Sequence, residues 1–162
     1  MRKGFTMIEL IFVIVILGVL ASVAIPRLAA TRDDAEVAKA ATNLTTAVSD
    51  ITAYYTAKGK FESSAQTKFQ NITNALKNDG TLIVKGDKTC ATVRLPANAI
   101  GNGAATTTSD KVELTIEFTD ADPVCKQLKK LTGVLAMCGQ SDKSTVSGTC
   151  KIQIGGSGGI QF

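Results

Sequence analysis

The apolar positions along this chain change their spacing twice. Residues 5–25 form an apolar run broken by one charge, Glu9. As a helix, that stretch spans roughly 31 Å at 1.5 Å per residue, close to a hydrocarbon core of about 30 Å. Beyond Pro26 the spacing becomes amphipathic. Val37, Ala41, Leu44, Val48, Ile51 and Tyr55 recur at intervals of 4, 3, 4, 3 and 4, one face of a helix. Lys58 and then Gly59 supply a C-terminal stop. The pattern therefore predicts one helix of roughly 80 Å over residues 5–57, its first half for lipid and its second half packed on a globular head. A coiled coil is the rival reading, but the amphipathic stretch holds only about three heptads and its faces are rich in Ala and Thr.

Past Gly59 the elements are short. Ser63-x-x-Gln66 has the form of a capping box, with Phe69, Ile72 and Leu76 as the buried face of a second helix that Asp79-Gly80 stops. Strand-like runs follow at residues 81–85 and 90–95. The clearest strand covers residues 111–119, where Val112, Leu114, Ile116 and Phe118 alternate with polar residues, as in an antiparallel sheet with one wet face. Asp122-Pro123 opens a brief helix to residue 131. Residues 133–138 and 149–154 read as a closing hairpin. The Gly-Gly-Ser-Gly-Gly run at 155–159 is a turn, after which Ile160 and Phe162 tuck back. The fold class predicted is α+β: a long N-terminal helix packed on an antiparallel sheet.

Composition sharpens this picture. The chain has 162 residues, room for one domain. After Pro26 it is rich in Ala, Thr, Ser and Gly and contains no Trp. A core of that kind is thin, and small domains with thin cores need staples. Four cysteines, Cys90, Cys125, Cys138 and Cys150, answer that need as a disulfide framework in an oxidising compartment. A zinc site is disfavoured, because no CxxC pair and no His is present. Lacking His, the chain also lacks the commonest general base and every Ser-His or Cys-His nucleophile pair. A net charge of +4 without a basic run reads as a solvated surface, and nucleic acid is not indicated. Glu113, Glu117, Asp120 and Asp122 lack the loop spacing of a calcium site; they read as a strand edge and a helix cap. Gly101-Asn102-Gly103 has no lysine placed for a phosphate-binding loop and reads as an exposed loop. Tyr54 and Tyr55 read as interior packing of the head. No cofactor and no metal is expected.

The chemistry concentrates at the N-terminus. Arg2 and Lys3 precede the apolar run and keep that end cytoplasmic by the positive-inside rule. A secretory signal cut near Ala21-Ser22-Val23-Ala24, or an uncut anchor, would share these features. Neither accounts for Glu9, since an intramembrane carboxylate without a partner is costly and marks function. The sequence Gly4-Phe5-Thr6-Met7-Ile8-Glu9-Leu10 resembles the processing site of the type IV pilin and type II secretion pseudopilin family. That resemblance is specific over about the first 30 residues and architectural beyond them.

The resemblance implies cleavage between Gly4 and Phe5 by a prepilin peptidase, with N-methylation of Phe5. Residues 1–4 would be the leader, 5–26 the transmembrane or filament-core helix, and 27–162 the head. Cleavage leaves an amine on Phe5 that Glu9 of a neighbouring subunit can pair with, giving register to a sliding apolar contact. Gly18 and Pro26 fall where the family carries helix-weakening residues, and in assembled filaments the segment between them can extend. Four cysteines allow three pairings. A disulfide closing the C-terminal region, as the family often has, implies Cys138–Cys150 bracing the last hairpin and Cys90–Cys125 tying the short helix to the sheet. The function implied is a non-enzymatic subunit of a type IV pilus serving motility, adhesion or DNA uptake. It would need copies of itself, minor pilins, an assembly ATPase and an inner-membrane platform protein. It would sit in the bacterial inner membrane and then in an extracellular or periplasmic filament. A secretion pseudopilin is the alternative, and a membrane-tethered receptor or enzyme that never polymerises is the contrasting class.

Overall fold

A computed structural model describes residues 4–62, 68–101 and 111–156. Arg2, Lys3, Ser63, Gln66, Asn102, Gly103, the Ser157-Gly158-Gly159 part of the glycine run, Ile160 and Phe162, all given roles above, lie outside the described residues. The chain divides into two compact units, Met1–Ala35 and Glu36–Phe162.

Helix α1 runs Met7–Lys58 and is helical at both Gly18 and Pro26. It ends where expected: Gly59 turns to φ +69, and its N–H donates to the Tyr55 carbonyl at 2.7 Å, a left-handed exit suited to glycine. In the second unit Val37, Ala40, Leu44, Ala47 and Ile51 of α1 are buried, at intervals of 3, 4, 3 and 4. Ala41, Val48 and Tyr55, predicted on that face, flank it half-buried. Leu44 stands at the middle of the stripe, with Ala40 and Ala47 as its small-residue neighbours, all three buried.

Four strands follow, β1 (Thr81–Val84), β2 (Lys88–Arg94), β3 (Val112–Phe118) and β4 (Thr149–Gly155), all antiparallel and in the order β1-β2-β3-β4. The alternation read in β3 holds, with Val112, Leu114 and Ile116 buried and Glu113, Thr115 and Glu117 on the wetter side. Register places Ile116 opposite both Val93 and Cys150, which makes β3 the centre of the core face. Gly80 precedes β1 at φ +80, and a Cβ there would meet the Phe69 ring and the Val93 carbonyl oxygen, so no other residue fits this crossing. Phe61 is fully buried, stacks on Tyr54 with centroids 5.9 Å apart, and meets the Tyr55 ring at a tilt with centroids 5.6 Å apart. Both tyrosines therefore pack within the second unit.

Two expectations are corrected. Residues 133–138 are not a strand: α3 (Thr132–Met137) occupies them, after α2 (Pro123–Leu128). Val134, Leu135 and Cys138 are buried together, an i, i+1, i+4 face that only a helix presents. β4 accordingly pairs with β3 and not with a hairpin partner. The second helix expected before Gly80 shrinks, among the described residues, to a single 3-10 turn at Phe69–Asn71. Its three apolar anchors still point inward, since Phe69 and Leu76 are buried and Ile72 half-buried. Burial of separate side chains from an irregular segment had mimicked a helical period.

Disulfides join Cys90 to Cys125 and Cys138 to Cys150, with Cα separations of 4.9 and 5.1 Å. The first ties α2 to β2; the second ties the residue after α3 to β4, not one hairpin strand to another.

Candidate functional site at the N-terminus of α1

Before α1, residues 4–6 are non-helical, and Thr6 is its N-cap. The Thr6 carbonyl accepts from Leu10 N–H at 3.3 Å, the first bond of the helix. The Thr6 N–H and hydroxyl both donate to Glu9 Oε2, at 3.1 and 2.8 Å, and the Glu9 N–H donates back to Thr6 Oγ1 at 3.4 Å. Thr6 and Glu9 thus form a capping box. Sequence reasoning applied that pattern to Ser63-x-x-Gln66 and overlooked Thr6-x-x-Glu9, where the same spacing was legible.

The flank of this helix end carries Phe5, Ile8, Phe12 and Val13, which with Glu9 line a shallow groove. Phe5 is 83% exposed, and even Ile16, the most covered large apolar residue between Phe5 and Leu28, is 42% exposed. Among the described residues α1 is the one helix long and apolar enough to cross a membrane. Gly18 has open space around its Cα, so it leaves a notch on that surface. Gly4 is exposed and non-helical just before Phe5, an accessible backbone position ahead of the helix.

The other candidates separate into structural roles. Asp122 caps α2, accepting from Val124 N–H at 2.9 Å. Asp120 pairs with Lys129 at 3.0 Å, Glu117 with Arg94 at 3.1 Å and Glu113 with Lys151 at 3.7 Å. No cluster of three or more potential metal ligands occurs among the described residues.

No curated protein and no solved structure matches the chain. Residues 1–25 match the family described as the prokaryotic N-terminal methylation motif. That motif implies processing by prepilin peptidase and polymerisation into filaments, and with the apolar helix it fits anchoring in the inner membrane. It points to a structural, non-enzymatic protein. Over residues 1–25 the chain carries the signature of the type IV pilins and pseudopilins.

Proposed function

We propose that the protein is the structural subunit of a type IV pilus, a pilin cleaved between Gly4 and Phe5, methylated on Phe5 and polymerised through α1. The observation that carries this reading is the placement of Glu9, the single charge in residues 5–25 and four residues from the new terminus. The amine freed on Phe5 of one subunit meets Glu9 of the next, and the exposed apolar flank of α1 supplies the contact around that pair. Residues 1–4 are the leader, 5–26 the membrane and filament-core segment, and 27–162 the head. Gly18 and Pro26 bracket a stretch whose helical bonding is weak enough to open in the filament. Before assembly the subunit sits in the inner membrane with its N-terminus cytoplasmic. An assembly ATPase and a platform protein then load it beneath minor pilins, and the filament serves motility, adhesion or DNA uptake. Two disulfides in the second unit favour a long-lived extracellular filament over a secretion pseudopilus, since covalent bracing suits exposure.

Intact mass and N-terminal sequencing of the purified protein test this directly. The expected terminus is methylated Phe5; a chain starting at Met1 or cut near Ala24 overturns the reading. Deleting the gene decides between the two filament types: a pilin loses surface filaments, whereas a pseudopilin loses exoprotein secretion.

A further inference from the structure

We propose that Gln140 selects the partner of Cys138, so that a disulfide-donating thiol oxidase suffices to pair this chain's four thiols and no isomerase is needed. The inference rests on the filament reading only in placing the second unit in an oxidising compartment. The choice of partner is built into the chain.

Chain entropy alone leaves Cys138 undecided. Short loops close most readily, and Cys125 lies almost as near to Cys138 in sequence as Cys150 does. Four cysteines allow three pairings, and fixing one bridge fixes the other, so the choice made at Cys138 sets the whole map. Cys138 joins Cys150, and the segment between them is closed by hydrogen bonds that involve neither sulfur. The Ser147 N–H donates to Gln140 Oε1 at 2.9 Å, and Gln140 Nε2 donates to the Ser147 carbonyl at 3.2 Å. This clasp turns the chain back toward Cys138 just ahead of Cys150. Its near end is fixed to α3: Gly139 turns at φ +64, and the Gln140 N–H donates to the Leu135 carbonyl at 2.8 Å. Its far end is held by buried Val146, whose N–H donates to the Lys129 carbonyl at 2.9 Å.

Each bond forms by thiol–disulfide exchange. A thiolate of the chain attacks a disulfide of the oxidase, giving a mixed disulfide and freeing one oxidase thiolate. The second thiolate of the chain then attacks the chain's own sulfur in that mixed disulfide. The oxidase departs as a dithiol, carrying the two electrons and two protons that the chain gave up. In the folded chain Cys90, Cys125 and Cys150 are fully buried and Cys138 is 8% exposed, so exchange that would repair a wrong pair has little access. Selection must therefore come first. A short loop closes on the order of 10–100 ns, whereas disulfides form over seconds to hours, which lets the clasp choose before the sulfurs react.

Full-length protein, reduced and unfolded in detergent, is diluted into native buffer with oxidised glutathione as the oxidant. Thiols are quenched by alkylation at intervals, and the bridges are mapped by mass spectrometry without reduction. Wild type is expected to yield mainly Cys138–Cys150 together with Cys90–Cys125. Gln140→Ala is expected to raise the ratio of Cys125–Cys138 to Cys138–Cys150 about fivefold, the worth of about one net hydrogen bond. In a background carrying Cys90→Ser and Cys125→Ser the competitor is gone, and Gln140→Ala is expected to close Cys138–Cys150 as completely as its parent. An unchanged ratio in Gln140→Ala overturns the inference, as do comparable yields of the two bridges from wild type. Failure to close in the background without the competitor also overturns it, since Gln140 would then serve closure and not choice. In cells lacking a disulfide isomerase the wild-type chain is expected to keep its native map, and scrambled bridges there overturn the inference too. A chain recovered from cells with all four thiols reduced would instead sink the placement of the second unit, and the filament reading with it, while leaving the selection by Gln140 standing.

Discussion

Leu17 and Leu44 lie on the same helix and carry the same side chain, yet Leu17 is 58% exposed and Leu44 fully buried. Around Leu17 the apolar residues point in every direction. Around Leu44 they are confined to one stripe of Val37, Ala40, Leu44, Ala47 and Ile51. A striped helix needs one cover, and β2 and β3 belong to the core that provides it. A helix apolar all round needs a surrounding medium, and the described residues contain none. The two regions therefore answer the same hydrophobic effect at different levels: the second unit by folding, the first by what it enters.

If the second unit is self-sufficient, its staples should count in unfolding while the first unit stays silent. The largest effect is expected from replacing Cys90 and Cys125 together by Ser. That pair closes a separation of 35 residues, worth about 4 kcal/mol by chain entropy, against about 3 kcal/mol for the separation of 12 at Cys138–Cys150. Denaturant titration of full-length protein in detergent, following a signal from the second unit, reads both. Next, Leu44→Ala should cost about 3 kcal/mol in the same titration, whereas Leu17→Ala should leave the midpoint unchanged. An equal loss from both would erase the contrast between the regions.

A smaller effect probes the fit between β4 and α1 within the second unit. A Cβ at Gly155 would run into the Tyr55 ring, so Gly155→Val should cost about 2 kcal/mol through overpacking. Relief by Tyr55→Ala in the double variant would trace the loss to that contact. The smallest effect concerns acid. Asp79 is held below the usual carboxylate range, chiefly by the Thr81 hydroxyl at 2.6 Å. A carboxyl with a depressed folded pKa adds stability above its unfolded pKa and loses it as pH falls through the folded value. Asp79→Ala should therefore narrow the difference from wild type between pH 7 and pH 2, measured by thermal melts. A constant difference across that range would assign the effect to something other than titration.

How much of this was legible follows the strength of the local signal. The membrane-length run and the strand at Val112–Phe118 announced themselves, because each keeps one period over many residues. Asp122-Pro123 gave the start of α2, since the cap and the fixed φ of proline act locally. Gly133 to Cys138 misled, because a short apolar run fits a strand or a buried helix equally well; the helix-forming Leu135, Ala136 and Met137 were the better guide. Phe69, Ile72 and Leu76 misled in reverse, since helical spacing arose where tertiary burial had placed each side chain separately. At the functional end, Glu9 was found by its charge, but the role of Thr6 needed the hydrogen bonds.

The order of the strands also sets a timetable. The edge of β3 that carries Ile116 toward Cys150 is completed by β4, which is synthesised only after α2 and α3. Until the ribosome releases Thr149–Gly155, one side of β3 is open, which invites pairing with any other unfinished chain. The strand that completes the sheet is thus the last of the four to be made, and β3 must be kept from other chains until it arrives.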